Sequence, residues 1–414
     1  MKELSFTNQT NPRNQTSIKK KLLTISVGIL VLSTLHTMPI MADDNPTGFA
    51  DMRDHWAQKA VATAIAKKYV DGYSDGSFRP ENYVSTAEFI KMVVTATQLP
   101  VSGSTDGSEW YVPYMKAAVE KGIVREDSIT SDTLNKPISR VEMAKIVVRA
   151  TDPALQQKIV SLNDQGAMYM ATSKGLIQGL ANGELAPDGS TTRAQSVTII
   201  ERILSLNSGQ KLETDKYAVS NAELALKKTN LFSMIPAFSG LQPSGHEWTP
   251  EKLVYETPDQ KYKGEVDQVV AVDLEDPNDP NRFMLGDIDK LRVYDGGDYF
   301  SKMPYVKDYM NSYVILVKSH EVFNKDTSLY RSGLYGLAMS FTGFKTPNSK
   351  NTIVNGKLST LSFVFKERLG DMAAYIVPKG VDSQLGINIA IKVPAIPPSD
   401  DMTHTITHIE PVKK

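Results

Sequence analysis

A chain of 414 residues with 41% hydrophobic and 22% charged residues has the composition of a soluble globular protein of two or three compact units, not a disordered one. The formal charge is −1, residues 1–42 hold five of the 46 basic and one of the 47 acidic side chains, and no basic stripe with interleaved aromatics appears, which disfavours nucleic acid as a partner. The chain has no cysteine, so disulfides, thiolate chemistry and cysteine-based metal sites are excluded.

The N-terminus reads as an export signal. Lys19, Lys20 and Lys21 lead into an apolar run from Leu22 to Leu35, followed by Pro39 and a cleavage site near Ala42. The run is shorter than the roughly 20 residues that span a bilayer. The expectation is therefore a secreted protein without a stable transmembrane anchor.

From residue 47 the chain repeats itself. Ser85-Thr86-Ala87-Glu88, Ser139-Arg140-Val141-Glu142 and Thr192-Arg193-Ala194-Gln195 are helix-capping boxes separated by 54 and 53 residues. Lys67, Lys121 and Lys174 keep the same spacing, and Trp56 and Trp110 stand 11 residues before the first two, with Asn163 in the third place. Each repeat reads as helix, glycine-rich loop, helix. First helices are expected near 56–68, 111–121 and 167–174, and second helices near 86–98, 140–151 and 193–206. Apolar residues such as Phe89, Ile90, Val93 and Val94 recur at helical spacing. One hairpin cannot bury such a stripe alone, so three are expected to form one all-α, pseudo-threefold bundle.

Phe49-Ala50-Asp51, His55-Trp56-Ala57, the run Gly72-Tyr73-Ser74-Asp75-Gly76-Ser77-Phe78-Arg79-Pro80 and the box at 84–88 resemble an S-layer homology (SLH) repeat. Ile138-Ser139-Arg140-Val141-Glu142 and Thr191-Thr192-Arg193-Ala194-Gln195 keep its box in two more divergent copies. The resemblance divides the chain into a signal peptide (1–42), SLH repeats at 47–99, 106–152 and 158–207, a polar linker with one short helix (208–230) and an unrecognised module (231–414). It implies a location in a bacterial cell wall or S-layer, binding to an anionic secondary cell wall polysaccharide that commonly carries a pyruvate ketal, and self-association in an S-layer lattice.

Arg140 and Arg193 are the leading site candidates. A guanidinium at a helix start, beside free backbone N–H groups, makes a receptor for carboxylate or phosphate, and a cation there otherwise opposes the helix dipole. The alternative is a solvated arginine or a salt bridge. Thr86 occupies the same place in the first repeat without the charge. Trp56 and Trp110 read as flat faces for a sugar or as core aromatics. Gly72 and Gly122 read as left-handed or close-approach positions that also admit a ligand. Lys121 and Lys174, like Lys67, favour a helix C-terminus and are secondary ligand candidates.

Beyond residue 231 short β-rich segments such as 266–273, 313–318, 358–365, 373–377 and 387–393 alternate with turns, which predicts an all-β sandwich or barrel. Asp273, Glu275, Asp276 and Asp279 could offer oxygens to calcium, but their spacing is no EF-hand, and a solvated turn is the plainer reading. His404 and His408 have a zinc-like spacing only on a helix, and their surroundings predict a strand. No cofactor is expected. The module is read as non-catalytic and displayed outward. The rivals are a glycan hydrolase, whose carboxylate pair needs no sequence signature, and a module that itself binds carbohydrate or self-associates.

Overall fold

The computed structural model describes residues 45–331, 337–345, 352–367, 372–381, 383, 386–393, 395–396 and 402–411, so the expected export signal lies outside the described residues. No helix among them is long and apolar enough to cross a membrane. Six of the longer helices build the three repeats, beside two single-turn ones at Ser131–Leu134 and Pro153–Gln156: α1 (Gln58–Ala66) and α2 (Thr86–Ala96), α3 (Val112–Lys121) and α4 (Arg140–Thr151), α5 (Asp164–Ser173) and α6 (Arg193–Asn207). All three boxes form: Ser85, Ser139 and Thr192 accept the N–H of Glu88, Glu142 and Gln195 at 3.2, 3.2 and 3.3 Å. The third first-helix starts at Asp164, three residues before its expected start. Asn163, in the place of the missing tryptophan, caps it by accepting the Gly166 N–H at 2.8 Å.

The boxes meet one another. Val84, Ile138 and Thr191, each just before its box, close a ring of backbone hydrogen bonds. Val84 donates to Thr191 (3.2 Å), Thr191 to Ile138 (3.2 Å) and Ile138 to Val84 (2.9 Å). Around this ring, Val61 and Phe89 of the first repeat, Met143 and Val147 of the second, and Met168 and Ile200 of the third are buried in one apolar core. The sequence period therefore becomes shared burial that a single hairpin could not achieve.

The expected polar linker is a packed spacer. Within it α7 (Lys216–Lys227) is capped by Asp215, which accepts from Tyr217 and Ala218 (3.0 and 3.1 Å) and from Gly179 of the third repeat (3.2 Å). Asn221 donates to Gly183 O at 2.9 Å. After the helix, Asn230 exchanges hydrogen bonds with Ala271 (3.0 and 2.6 Å), and Trp248 donates to Lys227 O (2.9 Å). These polar residues are caps and brackets, half-buried at Asp215 and Asn221 and fully buried at Asn230, so polar composition there did not mean solvation.

The C-terminal region holds eleven strands among the described residues: β1 (Val254–Glu256), β2 (Tyr262–Asp273), β3 (Arg292–Val293), β4 (Ser312–Asn324), β5 (Ala338–Thr342), β6 (Ile353–Val354), β7 (Lys357–Leu358), β8 (Ser362–Phe365), β9 (Met372–Pro378), β10 (Ile387–Val393) and β11 (Met402–Ile409). They form a six-stranded sheet in the order β1-β2-β4-β9-β8-β3, a three-stranded sheet β11-β10-β5 and the hairpin β6-β7, with every strand pair antiparallel. One face of the large sheet shares a core with the small one, through Val269, Ala271 and Ile315 against Phe341, Ile389 and Ile391. The other face, with Val270, Val272 and Val314, is covered by Leu285, Leu291 and Val306 from short 3-10 turns and loops. That second covered face is not foreseen by a simple two-sheet reading.

Candidate functional site

Each second helix begins against a loop of the next repeat, and this sets the geometry of the candidate residues. Arg140 is only 5% exposed; its Nε donates to Leu185 O (2.8 Å) and its Nη2 to Gln178 O (2.7 Å). Arg193 does the same one repeat on, to Phe78 O (3.1 Å) and Asp71 O (2.5 Å), with its Cζ 4.7 Å from the Phe78 ring centroid and 5.2 Å from that of Tyr73. Burial pulls both guanidiniums below the ordinary arginine pKa, with Glu184 opposing at Arg140 and Tyr73, Glu88 and Asp71 opposing at Arg193. Both stay charged at any physiological pH.

The backbone N–H groups at these helix starts are not free, contrary to expectation. Arg140 and Val141 donate to Gly189 O and Pro187 O (both 2.9 Å), and Arg193 and Ala194 to Asn82 O (2.8 Å) and Pro80 O (3.0 Å). The neighbouring repeat supplies the carbonyls that complement the positive helix end. The arginine side chains then reach past this plug and brace the same loop. Neither arginine is simply solvated or paired to a carboxylate among the described residues.

A cavity of about 160 Å³ opens beside Arg140. Its lining includes Gln178, Gly179, Gln195, Arg202 and, from the first repeat, Trp56, and no carboxylate among the described residues. Arg202, on the last turns of α6, has its pKa lowered by burial and donates only a long 3.4 Å contact to Leu176 O. Trp56 is 62% exposed, so it is not a core aromatic. Trp110 is half-buried, with Lys91 Nζ 5.5 Å from its ring centroid. The equivalent cavity beside Thr86 is smaller, about 80 Å³, and is lined by Ser128, Glu142, Lys145 and Arg149. Thr86 Oγ1 and Arg149 Nε are buried there without a hydrogen-bond partner among the described residues. Arg149 and Arg202 lie 53 residues apart, in phase with the boxes. Extending the period by one more helical turn would have found them.

The glycine and lysine candidates separate by role. Gly122 is left-handed (φ 80°), and a Cβ on it would lie 2.3 Å from Gln156 O. Gly72 has no positive φ, but a Cβ there would lie 2.2 Å from the Phe49 ring. The first-repeat counterpart of Gly122 is Lys68, held left-handed at φ 60°. Lys174 pairs with Asp152 at 2.9 Å and Lys67 with Glu201 at 2.7 Å, whereas Lys121 is exposed on the last turn of α3.

In the C-terminal module the acidic run is engaged by protein groups. Asp273 pairs with Lys216 (2.9 Å) and Lys379 (2.7 Å), Lys379 also reaches Glu275 (2.7 Å), Tyr217 bonds Asp276, and Asp279 accepts two backbone N–H groups. No group of three or more histidines and carboxylates placed to hold a metal is found among the described residues. His404 and His408 lie on β11, where the pairing register shifts between them, and they meet different neighbours: Tyr255 stacks on His404 at 5.1 Å, while His408 faces His246 at 6.3 Å.

The profile of the S-layer homology domain matches residues 48–90 and 160–195. The chain is 26% identical over 198 residues to the amylopullulanase of Thermoanaerobacterium thermosulfurigenes, covering 43% of this chain and 11% of that protein. It is 27% identical over 184 residues to the surface-layer 125 kDa protein of Lysinibacillus sphaericus, covering 41% and 16%. A longer match, 24% identical over 331 residues, joins it to an endoglucanase of Bacillus sp. (strain KSM-635), covering 74% and 34%. The chain thus spans between about a ninth and about a third of the length of these relatives.

Proposed function

We propose that this chain, which carries S-layer homology repeats in its N-terminal region, is a secreted bacterial envelope protein held on the wall by those repeats. The three hairpins act as one pseudo-threefold anchor, and the β module, read as a sandwich, is displayed outward without catalytic activity. The ligand is an acidic wall polysaccharide, of the pyruvylated kind. The carrying observation is the cavity beside Arg140, where one buried and one half-buried guanidinium, Arg140 and Arg202, share a lining without a carboxylate among the described residues, together with the exposed indole of Trp56. A carboxylate on a sugar answers both features: the charge is taken by Arg140 and Arg202, and the ring lies against Trp56.

In this reading Arg140 has a double role. Its Nε and Nη2 hold the loop that shapes the cavity, and Nη1, unbonded among the described residues, is left for ligand. Arg193 braces the first repeat's loop through the same two nitrogens, Trp110 is the aromatic assigned to its groove, and avidity between the two grooves strengthens retention. The Thr86 cavity, smaller and without the bracing arginine, contributes least.

The test is co-sedimentation of the protein with purified wall sacculi, before and after mild acid removal of the polymer's acidic substituents. Retention should fall by tenfold or more after that removal, and likewise in the Trp56→Ala/Arg202→Gln double variant. Equal retention in all samples refutes the mechanism.

A further inference from the structure

Residues 294–305 leave β3 and return to it as a loop pinned at both ends. At the base Val293 donates to Pro304 O (2.9 Å). Arg292 lies 3.5 Å from the Tyr305 ring centroid and donates to Met303 O (2.7 Å) and Tyr305 Oη (2.6 Å). At the start of the loop, the Tyr294 carbonyl accepts the hydroxyls of Thr352 and Ser362, both at 2.6 Å, and its N–H donates to Phe363 O (2.9 Å). The turn that follows is fixed by Asp295 Oδ1 accepting from Gly297 N at 2.9 Å, with Gly296 at φ 95°. Closed surface loops held in this way are commonly functional.

Against this turn lies an open cavity of about 410 Å³ lined by Asp295, Gly296, Gly297, Pro304, Tyr309 and Ile353. That volume is in the range, about 300–1,000 Å³, of small-molecule sites. Asp295 is the one charged residue among the described residues of the lining, so an anion would meet repulsion and no described cation. A lone carboxylate is too few oxygens for a calcium ion. The Tyr309 hydroxyl makes no hydrogen bond among the described residues. Burial, then the charges of Asp308 and Asp295, raise its pKa, so it stays a neutral donor. Two glycines allow a ligand ring close to the backbone, and the Tyr309, Pro304 and Ile353 side chains offer apolar surface. In the same loop Tyr299 is 66% exposed.

We propose that this groove of the β module binds a neutral saccharide, with the Asp295 carboxylate accepting from sugar hydroxyls and Tyr309 donating to one. The site is separate from the anchor grooves in place and in charge preference, and it does not depend on the wall-anchoring reading. It gives the module a second glycan contact, either a neutral stretch of wall polymer or a free polysaccharide.

The test is calorimetric titration of the full chain with cellotetraose, xylotetraose and N-acetylchitotetraose, with calcium chloride and sodium acetate as controls. At least one oligosaccharide should bind with a Kd below about 1 mM. Asp295→Asn and Tyr309→Phe should each weaken it tenfold or more, with unchanged near-ultraviolet circular dichroism. Sedimentation of Asp295→Asn with sacculi bearing their acidic substituents should match the unsubstituted protein, which separates this site from the anchor. Sacculi stripped of those substituents distinguish wall glycan from free polysaccharide: competition by them marks the wall as the source, and its absence marks a free chain. The proposal is overturned if none of the three oligosaccharides binds, if neither substitution changes binding, if only calcium or acetate binds, or if the oligosaccharide is cleaved.

Discussion

Arg140→Ala should destabilise the anchor, and Trp56→Ala should not, although both residues line the same cavity. The Arg140 guanidinium makes two short, charge-assisted bonds to Leu185 O and Gln178 O, and no other donor among the described residues reaches either carbonyl. A hydrogen bond to a charged group contributes about 1.5–3 kcal/mol. Two of them, less the relief from no longer burying a charge, give an expected loss of about 2–4 kcal/mol. Against a domain stability of about 5–15 kcal/mol this is a large fraction. Trp56, 62% exposed, should cost less than about 1 kcal/mol. Urea denaturation followed by far-ultraviolet circular dichroism at the helical band reads both. Arg140→Met, which keeps apolar bulk but not the donors, should fall with Arg140→Ala. If Arg140→Ala stays within about 0.5 kcal/mol of the parent, the bracing role is wrong.

Four other substitutions have outcomes that follow from particular contacts. Gly122→Ala, forced both into a left-handed φ and against Gln156 O, should lower the anchor's denaturation midpoint markedly, whereas Lys68→Gly should raise stability by about 0.5–1 kcal/mol. Thr86→Val removes a buried, unpartnered hydroxyl and should stabilise by about 1 kcal/mol in the same assay without loss of wall retention. Glu223 is fully buried; burial raises its pKa against the opposing pull of Ser233 and Lys227. A carboxyl with a raised folded pKa binds more protons folded than unfolded, so its adverse effect grows as pH rises through the window from its unfolded value to its folded one. Glu223→Gln should therefore gain stability at pH 8 relative to the parent and show no gain at a pH below the ordinary glutamate range, read by thermal melts at both pH values.

The repeats were legible because two constraints act on one spacing: a cap must precede a helix, and apolar residues must recur on its inner face. That fixed the starts of α2, α4 and α6 at Thr86, Arg140 and Arg193. What the arginines touch was not legible, since their partners are backbone carbonyls 38 to 122 residues away that carry no side-chain signature. Asn163 was read as a lost aromatic because its capping role depends on the three residues after it. The short helix of the linker was legible, and its extent, Lys216–Lys227, follows from the cap at Asp215 ahead of it. In the β module the alternation gave strands but not their order, because neighbours such as β4 and β9 are separated by four intervening strands.

The ring formed by Val84, Ile138 and Thr191 also bears on how such a region can change over generations. Each member both gives and receives, so the ring has no loose end to which a fourth hairpin could be added, and the loss of one hairpin leaves two others each with an unmet group at the centre. Duplication or deletion of a single copy is therefore penalised, whereas drift within a copy is tolerated as long as its strand of the ring persists. The heritable module is the triplet. Its members are free to diverge in what they hold, as Thr86 has from Arg140 and Arg193, because their common task is finished at the axis.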